Sequence, residues 1–116
     1  MNTVFVHVSD LQRSVTWYTK LLCQDVNLSE VSNPVYNVKV NHHTGLVLDA
    51  GPIGMKKEIT ASDFPLFNFH TDDMEGSYEF VKRLGYSIES EIVRFDDFSY
   101  FTIRDPDEHI VMICTG

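Results

Sequence analysis

An internal repeat sets the strongest limit on the fold. Val6-His7-Val8-Ser9-Asp10-Leu11 returns as Phe69-His70-Thr71-Asp72-Asp73-Met74. In both places alternating residues run straight into a helix-opening pattern, which predicts a strand followed closely by a helix. The first strand covers Thr3 to Val8, with Val4, Val6 and Val8 on one face and Thr3, Phe5 and His7 on the other. The second covers Pro65 to Thr71. Phe67, Phe69 and Thr71 share one face there; Leu66, Asn68 and His70 share the other. Each strand therefore has one face suited to a helix and one mixed face suited to a pocket or to solvent.

The helices follow from spacing. Ser9 with Gln12, and Asp72 with Glu75, stand at capping-box distance. Leu11, Val15, Tyr18 and Leu21 or Leu22 then line one helix face, as Met74, Tyr78, Val81 and Leu84 do in the second copy. Gly85 suits the left-handed end of the second helix, whereas Cys23, near the same place in the first, suits it poorly. Strand-like runs come next: Val26 to Val31, Val35 to Val40 and Leu46 to Leu48, then Ser87 to Arg94, Tyr100 to Arg104 and Ile110 to Cys114. Asn41-His42-His43-Thr44-Gly45, Asp96-Asp97 and Asp105-Pro106-Asp107-Glu108 read as turns. Gly51-Pro52 and Gly54 mark a linker. The expectation is an α+β chain of two tandem βαβββ modules, residues 1–50 and 64–116, joined by a linker over 51–63 into a single domain over 1–116. Packed together, such halves would form a curved mixed sheet with helices outside and a concave cup inside.

Charge removes several function classes. Seventeen acidic side chains against nine basic ones leave a net charge of −8, and no basic stripe for nucleic acid or an anionic membrane appears. No apolar run approaches the ~20 residues that span a bilayer. The N-terminal residues lack a signal-peptide pattern, which points to the cytoplasm. Cys23 and Cys114, far apart and outside any CxxC, read as reduced and at least partly buried thiols.

Three segments resemble the vicinal oxygen chelate superfamily, which holds glyoxalase I, bleomycin-resistance proteins and extradiol dioxygenases. Val8-Ser9-Asp10-Leu11-Gln12-Arg13-Ser14-Val15-Thr16-Trp17-Tyr18 is similar to its first strand-to-helix segment. Thr71-Asp72-Asp73-Met74 is similar to the second-module counterpart, and Phe101 to Ile110 to the hairpin before the last strand, with Glu108-His109 in place of Gly-Asn. The resemblance implies a divalent metal in the cup, binding two neighbouring oxygens of a substrate as a Lewis acid. Carried over by the family's spacing, its ligand positions fall on Thr3, Leu66 and Met112, with the fourth near Leu48 beside Asp49. Threonine, leucine and methionine are poor ligands for such a cation, so no metal cofactor is expected. A site built from His7, His70 and Asp49 is the remaining metal arrangement.

His7 and His70 hold matching places before Asp10 and Asp73. They are strand-exit residues tied to backbone, pocket groups, or a displaced metal pair. His42-His43 reads as a solvated turn, and His109 as a structural replacement for asparagine. Asp72-Asp73 and Asp96-Asp97 read as cap and turn residues rather than acid–base pairs. Trp17, Tyr18, Tyr78 and Phe80 belong to the core or an interface. No nucleophile elbow or phosphate-cradling glycine loop appears.

The cup-facing candidates are Thr3, Phe5, His7, Leu66, Asn68, His70, Tyr100, Thr102 and Met112. They line an apolar ligand pocket with a polar minority, or else fill the cup. The first functional expectation is a metal-independent protein binding a small apolar or aromatic organic molecule. By analogy with bleomycin-resistance proteins it would be a homodimer. The alternatives are a metal-dependent glyoxalase-like lyase, isomerase or dioxygenase with unusual ligands, and a non-catalytic interaction module with a filled cup.

Overall fold

Two carboxylates start the helices of this protein. In the computed structural model, which describes residues 2–40, 44–52 and 58–115, strand β1 (Asn2–His7) leads to α1 (Leu11–Leu21), and β4 (Pro65–His70) leads to α2 (Met74–Leu84). Asp10 and Asp73 are the N-caps, both extended, with side chains accepting from the backbone N–H of Arg13 and Gly76. The caps lie one residue later than the capping-box spacing places them. Aspartate satisfies an orphan amide and sets a negative charge against the positive helix end. Ser9 accepts instead from Arg13 Nη2 (2.9 Å), and Asp72 pairs with His70. A Cβ on Gly76 would lie 2.2 Å from the Asp73 carboxylate, so glycine leaves room for that cap.

The chain divides into two units, Met1–Thr60 and Ala61–Gly116, each with its own sheet and helix. The first unit adds β2 (Val35–Lys39) and β3 (Thr44–Asp49), in the order β1-β3-β2, with β1 parallel and β2 antiparallel to β3. α1 packs on β2 and β3. Leu11, Val15 and Tyr18 are buried with Val6, Val8, Val38, Leu46 and Leu48 to make this unit's core. Each such side chain contributes roughly 1.5–3 kcal/mol on burial. The expected strand over Val26 to Val31 does not form, so the first module is βαββ with a 3-10 turn at Leu28–Glu30. Asn27 explains this: its side-chain oxygen accepts from Ser29 N (3.1 Å) and Ser29 Oγ (2.7 Å), a local bond that competes with a ladder.

The second unit adds β5 (Ser87–Ile88), β6 (Val93–Arg94), β7 (Ser99–Arg104) and β8 (Ile110–Cys114), in the order β4-β8-β7-β5 with β6 also on β7. β4 runs parallel to β8, with a register shift between Pro65 and Asn68; the other pairs are antiparallel. α2 packs on β5 and β7, where the Tyr78 ring meets Phe101 edge-on at 5.1 Å. Phe101, Ile103, Val111 and Ile113 are buried on that side. The run expected as one strand, Ser87 to Arg94, is two short strands. Between them the Ser90 hydroxyl accepts from Thr102 N (3.1 Å), and Thr102 O takes Glu89 N and Ser90 N. A side chain thus replaces a backbone partner and interrupts the ladder.

The helix ends differ. Gly85 takes φ 77° as expected, and Cys23 also enters the left-handed region at φ 56°. Cys23 is exposed, not partly buried; Cys114 is buried, and neither is in a disulfide. Trp17 and Tyr18 are buried, while Tyr78 and Phe80 are half-buried. In the Asp105–Glu108 turn, Glu108 stands at φ 67°. The Asp105 carboxylate accepts from Asp107 N (2.9 Å) and from His109 N (2.8 Å), and His109 itself is buried. His42-His43 and the centre of the 51–63 linker lie outside the described residues.

Candidate functional site

Alternation in β1 turns Val6 and Val8 into the core and leaves Thr3, Phe5 and His7 exposed on the other face. The register extends this open face across the first sheet. Across β1, β3 and β2 in turn the rows are Thr3–Gly45–Lys39, Phe5–Val47–Asn37 and His7–Asp49–Val35. Phe5 is 61% and Val35 47% exposed, so this face offers apolar surface to a ligand. Its polar corner is the His7–Asp49 pairing, where Asp49 Oδ1 accepts from Gly51 N (2.9 Å).

In the second unit the face turned away from α2 carries, across β4, β8 and β7 in turn, the rows Asn68–Met112–Thr102 and His70–Cys114–Tyr100. Leu66, at the register shift, is 45% exposed. His70 Nε2 lies 2.7 Å from Asp72 Oδ1, with both side chains exposed; the histidine is tied to a carboxylate rather than to backbone. Asn68 Nδ2 donates to Cys114 Sγ (3.1 Å). Thr102 is buried, and its hydroxyl donates to Ser90 Oγ (3.0 Å). The nine candidates thus fall into two groups: Thr3, Phe5 and His7 on one sheet, and Leu66, Asn68, His70, Tyr100, Thr102 and Met112 on the other.

Sequence reasoning missed several members of these faces. Val35, Asn37 and Val47 join Phe5 only through the strand register. Arg104 follows Tyr100 and Thr102 on β7 and donates to Glu89 through Nε (2.9 Å) and Nη2 (3.0 Å). Its Nη1 donates to Ser62 O (3.1 Å) and Glu108 O (2.6 Å), which ties down the turn before β8. The Arg104 hydrogen bond holds the Glu89 carboxyl below its usual range. Phe95 and Phe98 also escaped notice. Their signal was an aromatic residue on each side of the Asp96-Asp97 turn.

The register also corrects the fourth family ligand position. Phe5 pairs with Val47 as Asn68 pairs with Met112, so the counterpart of Met112 is Val47. Leu48, fully buried, faces the core. A hydroxyl, two hydrocarbons and a thioether at Thr3, Val47, Leu66 and Met112 do not fit a hard or borderline divalent cation. Among the described residues, no group of three or more histidine, cysteine, aspartate or glutamate side chains is arranged to hold a metal ion. Of the remaining arrangement, His7 and Asp49 are register partners in the first unit, and His70 stands with Asp72 in the second.

Tandem modules with a strand, a capped helix and antiparallel returning strands, each sheet open on one face, define a class of protein rather than a reaction. The chain belongs to the Glyoxalase/Bleomycin resistance protein/Dioxygenase superfamily, whose sequence model matches residues 1–113. Solved structures share the fold. A protein described as a conserved domain protein has a TM-score of 0.76 at 11% identity, covering 98% of this chain and 96% of that one. The lactoylglutathione lyase from Agrobacterium tumefaciens has a TM-score of 0.72 at 17% identity, covering 98% and 91%. Oxidase ChaP-H1 has a TM-score of 0.66 at 18% identity, covering 100% and 94%. A search of curated proteins found no match. Among the described residues, no helix is long and apolar enough to cross a membrane.

Proposed function

We propose that this chain is a metal-independent binding protein of its superfamily, which holds a small apolar or aromatic organic molecule on the sheet faces turned away from the helices. The observation that carries the reading is the chemistry of those faces. Phe5 and Leu66 stand exposed there, and the family's ligand positions carry Thr3, Val47, Leu66 and Met112. Covering an exposed phenylalanine returns up to roughly 1.5–3 kcal/mol, so an apolar ligand has a driving force on this surface. His7 on the first sheet, and Asn68 and His70 on the second, are the polar groups each face offers to orient a ligand. We place the protein in the cytoplasm as a homodimer; light scattering that returns the mass of one chain would refute the dimer.

A thermal-shift screen on untagged protein tests the binding reading. Ligand at a hundredfold over its Kd adds about 2.7 kcal/mol of stability. At least one apolar or aromatic compound should raise Tm, and Phe5→Ala, His7→Ala and His70→Ala should weaken it. Metal analysis after soaking in nickel, zinc, manganese or iron, followed by dialysis, should find less than one equivalent. A stoichiometric metal that survives dialysis, with an activity lost to chelator and restored by metal, would replace this reading with a metal-dependent lyase or dioxygenase. The His7–Asp49 pairing is the feature that favours that second reading.

A further inference from the structure

The β6–β7 hairpin is built around exposed aromatic rings that the fold does not bury. Phe95 is 55% and Phe98 37% exposed, and Tyr100 is half-buried beside them. Their rings are close to parallel. Phe95 and Phe98 lie 4.9 Å apart at 29°, and each lies 6.2 Å from Tyr100 at 19°. Rings this close and this nearly parallel are stacked on one another with an offset, so the outer faces of the stack form the platform that a flat molecule can extend.

The platform is fixed in place. Phe95 N donates to Phe98 O (2.8 Å) across the tip, and Val93 and Arg94 pair with Tyr100 and Ser99. Arg94 is ion-paired with Glu75 on α2, which anchors the hairpin and commits its nearest cation. Holding the rings rigid before a ligand arrives lowers the ordering cost of binding.

Charge selects the occupant. Asp96 and Asp97 form the exposed tip between Phe95 and Phe98, and the chain as a whole carries −8. The ring faces are themselves negative in quadrupole, so both features attract a cation and repel an anion. Two copies docked tip to tip through this hairpin would set Asp96 and Asp97 of each against the other, which disfavours the hairpin as the seam of the dimer proposed above.

We propose that Phe95, Phe98 and Tyr100, with Asp96 and Asp97 at the tip, form a recognition site for a planar aromatic cation. The proposal rests on the small-molecule-binding reading above and adds the shape and charge of the ligand. Tyr100 joins the hairpin to the sheet face that carries His70.

N-methylacridinium, whose charge is fixed, is the probe, followed by fluorescence titration of the full chain. Anthracene-2-carboxylate supplies the same shape with opposite charge, and tetramethylammonium supplies charge without a ring. The cation should bind about tenfold or more tightly than the anion, and tetramethylammonium, which has the charge but no ring to stack, should compete at least about tenfold more weakly than the probe binds. Phe95→Leu and Phe98→Leu keep apolar bulk and remove the π face; each should weaken binding severalfold, with far-UV circular dichroism unchanged. The double change Asp96→Asn, Asp97→Asn should weaken binding and flatten its dependence on salt. No binding at millimolar probe, equal affinity for cation and anion, or indifference to both leucine variants would overturn the proposal. A different library compound held through Phe5 but insensitive to Phe95 and Phe98 would sink this inference and leave the binding reading standing. A stoichiometric metal with chelator-sensitive activity would sink the binding reading, while the titration would still decide the hairpin.

Discussion

Ser14 is fully buried on α1, and its hydroxyl has no hydrogen-bond partner among the described residues. A buried unsatisfied hydroxyl costs more than a methyl group in the same space. Ser14→Ala should therefore raise stability by about 1 kcal/mol in urea unfolding; an equal loss would reveal a partner for Oγ. Two residues with displaced pKa values bear on the pH dependence of stability from opposite sides. The hydrogen bond from Arg104 lowers Glu89 below its ordinary 4.5, with burial opposing and the Arg104 charge assisting. The folded value lies below the unfolded one, so this stability is complete above the unfolded value and vanishes as pH falls through the folded one. Glu89→Gln should flatten the acid limb of a pH–stability series. Tyr86 is the reverse case. Burial pushes its hydroxyl from 10.0 up to about 12. Its contribution is complete below the unfolded value and is lost as pH rises through the folded one. Tyr86→Phe should remove the fall in stability between those two values, and an unchanged alkaline limb would assign it elsewhere.

At the scale of elements, each helix ends with a residue at positive φ: Gly85 is the cap of α2 itself, and Cys23 lies one residue beyond Leu22, the cap of α1. Gly85 at φ 77° has nothing within 4 Å of an added Cβ, so its substitution cost is purely conformational. Gly85→Ala should lose about 1 kcal/mol. Cys23 already bears that strain at φ 56°. Cys23→Gly should gain a few tenths to about 1 kcal/mol, measured as a shift in the urea midpoint; a loss would show that the side chain has a packing role. The same elements show how far local rules carry. Both helices start where a strand hands over to Asp10 or Asp73, a handover legible in the repeat. The choice of Asp10 over Ser9, and of Asp73 over Asp72, follows from where the strand releases the backbone. Strand alternation likewise separated Val6 and Val8 from Phe5 and His7 correctly. It failed at Val26 to Val31 and at Ser90, where asparagine and serine side chains bond the backbone themselves.

For the whole molecule, net charge is the global variable. Seventeen acidic groups against nine basic ones repel one another in the compact state. Raising sodium chloride shortens the Debye length from ~10 Å at 0.1 M to ~3 Å at 1 M and should raise Tm. A fall in Tm instead would mean that the exposed pairs Arg94–Glu75 and Arg104–Glu89 outweigh the repulsion. The two units share a plan but not a surface. The first presents Phe5, Val35 and the His7–Asp49 corner, and the second presents Tyr100 with Phe95 and Phe98. Family membership accounts for the shared plan. The differing open faces are where a binding specificity would reside, because neither sheet needs those side chains for its own core.

By itself the sequence determined the family, the tandem plan, the helix faces and which side chains of β1 and β4 point away from the core. These depend on periodicity and on residues close in the chain, where sterics and local hydrogen bonds decide. Tertiary structure alone decided the rest. Pairing Phe5 with Val47 depends on parallel strands brought together from distant segments, and counting along the chain pointed to Leu48 instead. The burial of Thr102 depends on Ser90, twelve residues away, and the clamp on Glu89 depends on Arg104 across a ladder. Phe95 and Phe98 flank the Asp96-Asp97 turn in the sequence, and only the hairpin sets their rings beside Tyr100. Register, side-chain intrusion and ring packing join residues far apart in sequence, and only the folded chain fixes which of them meet.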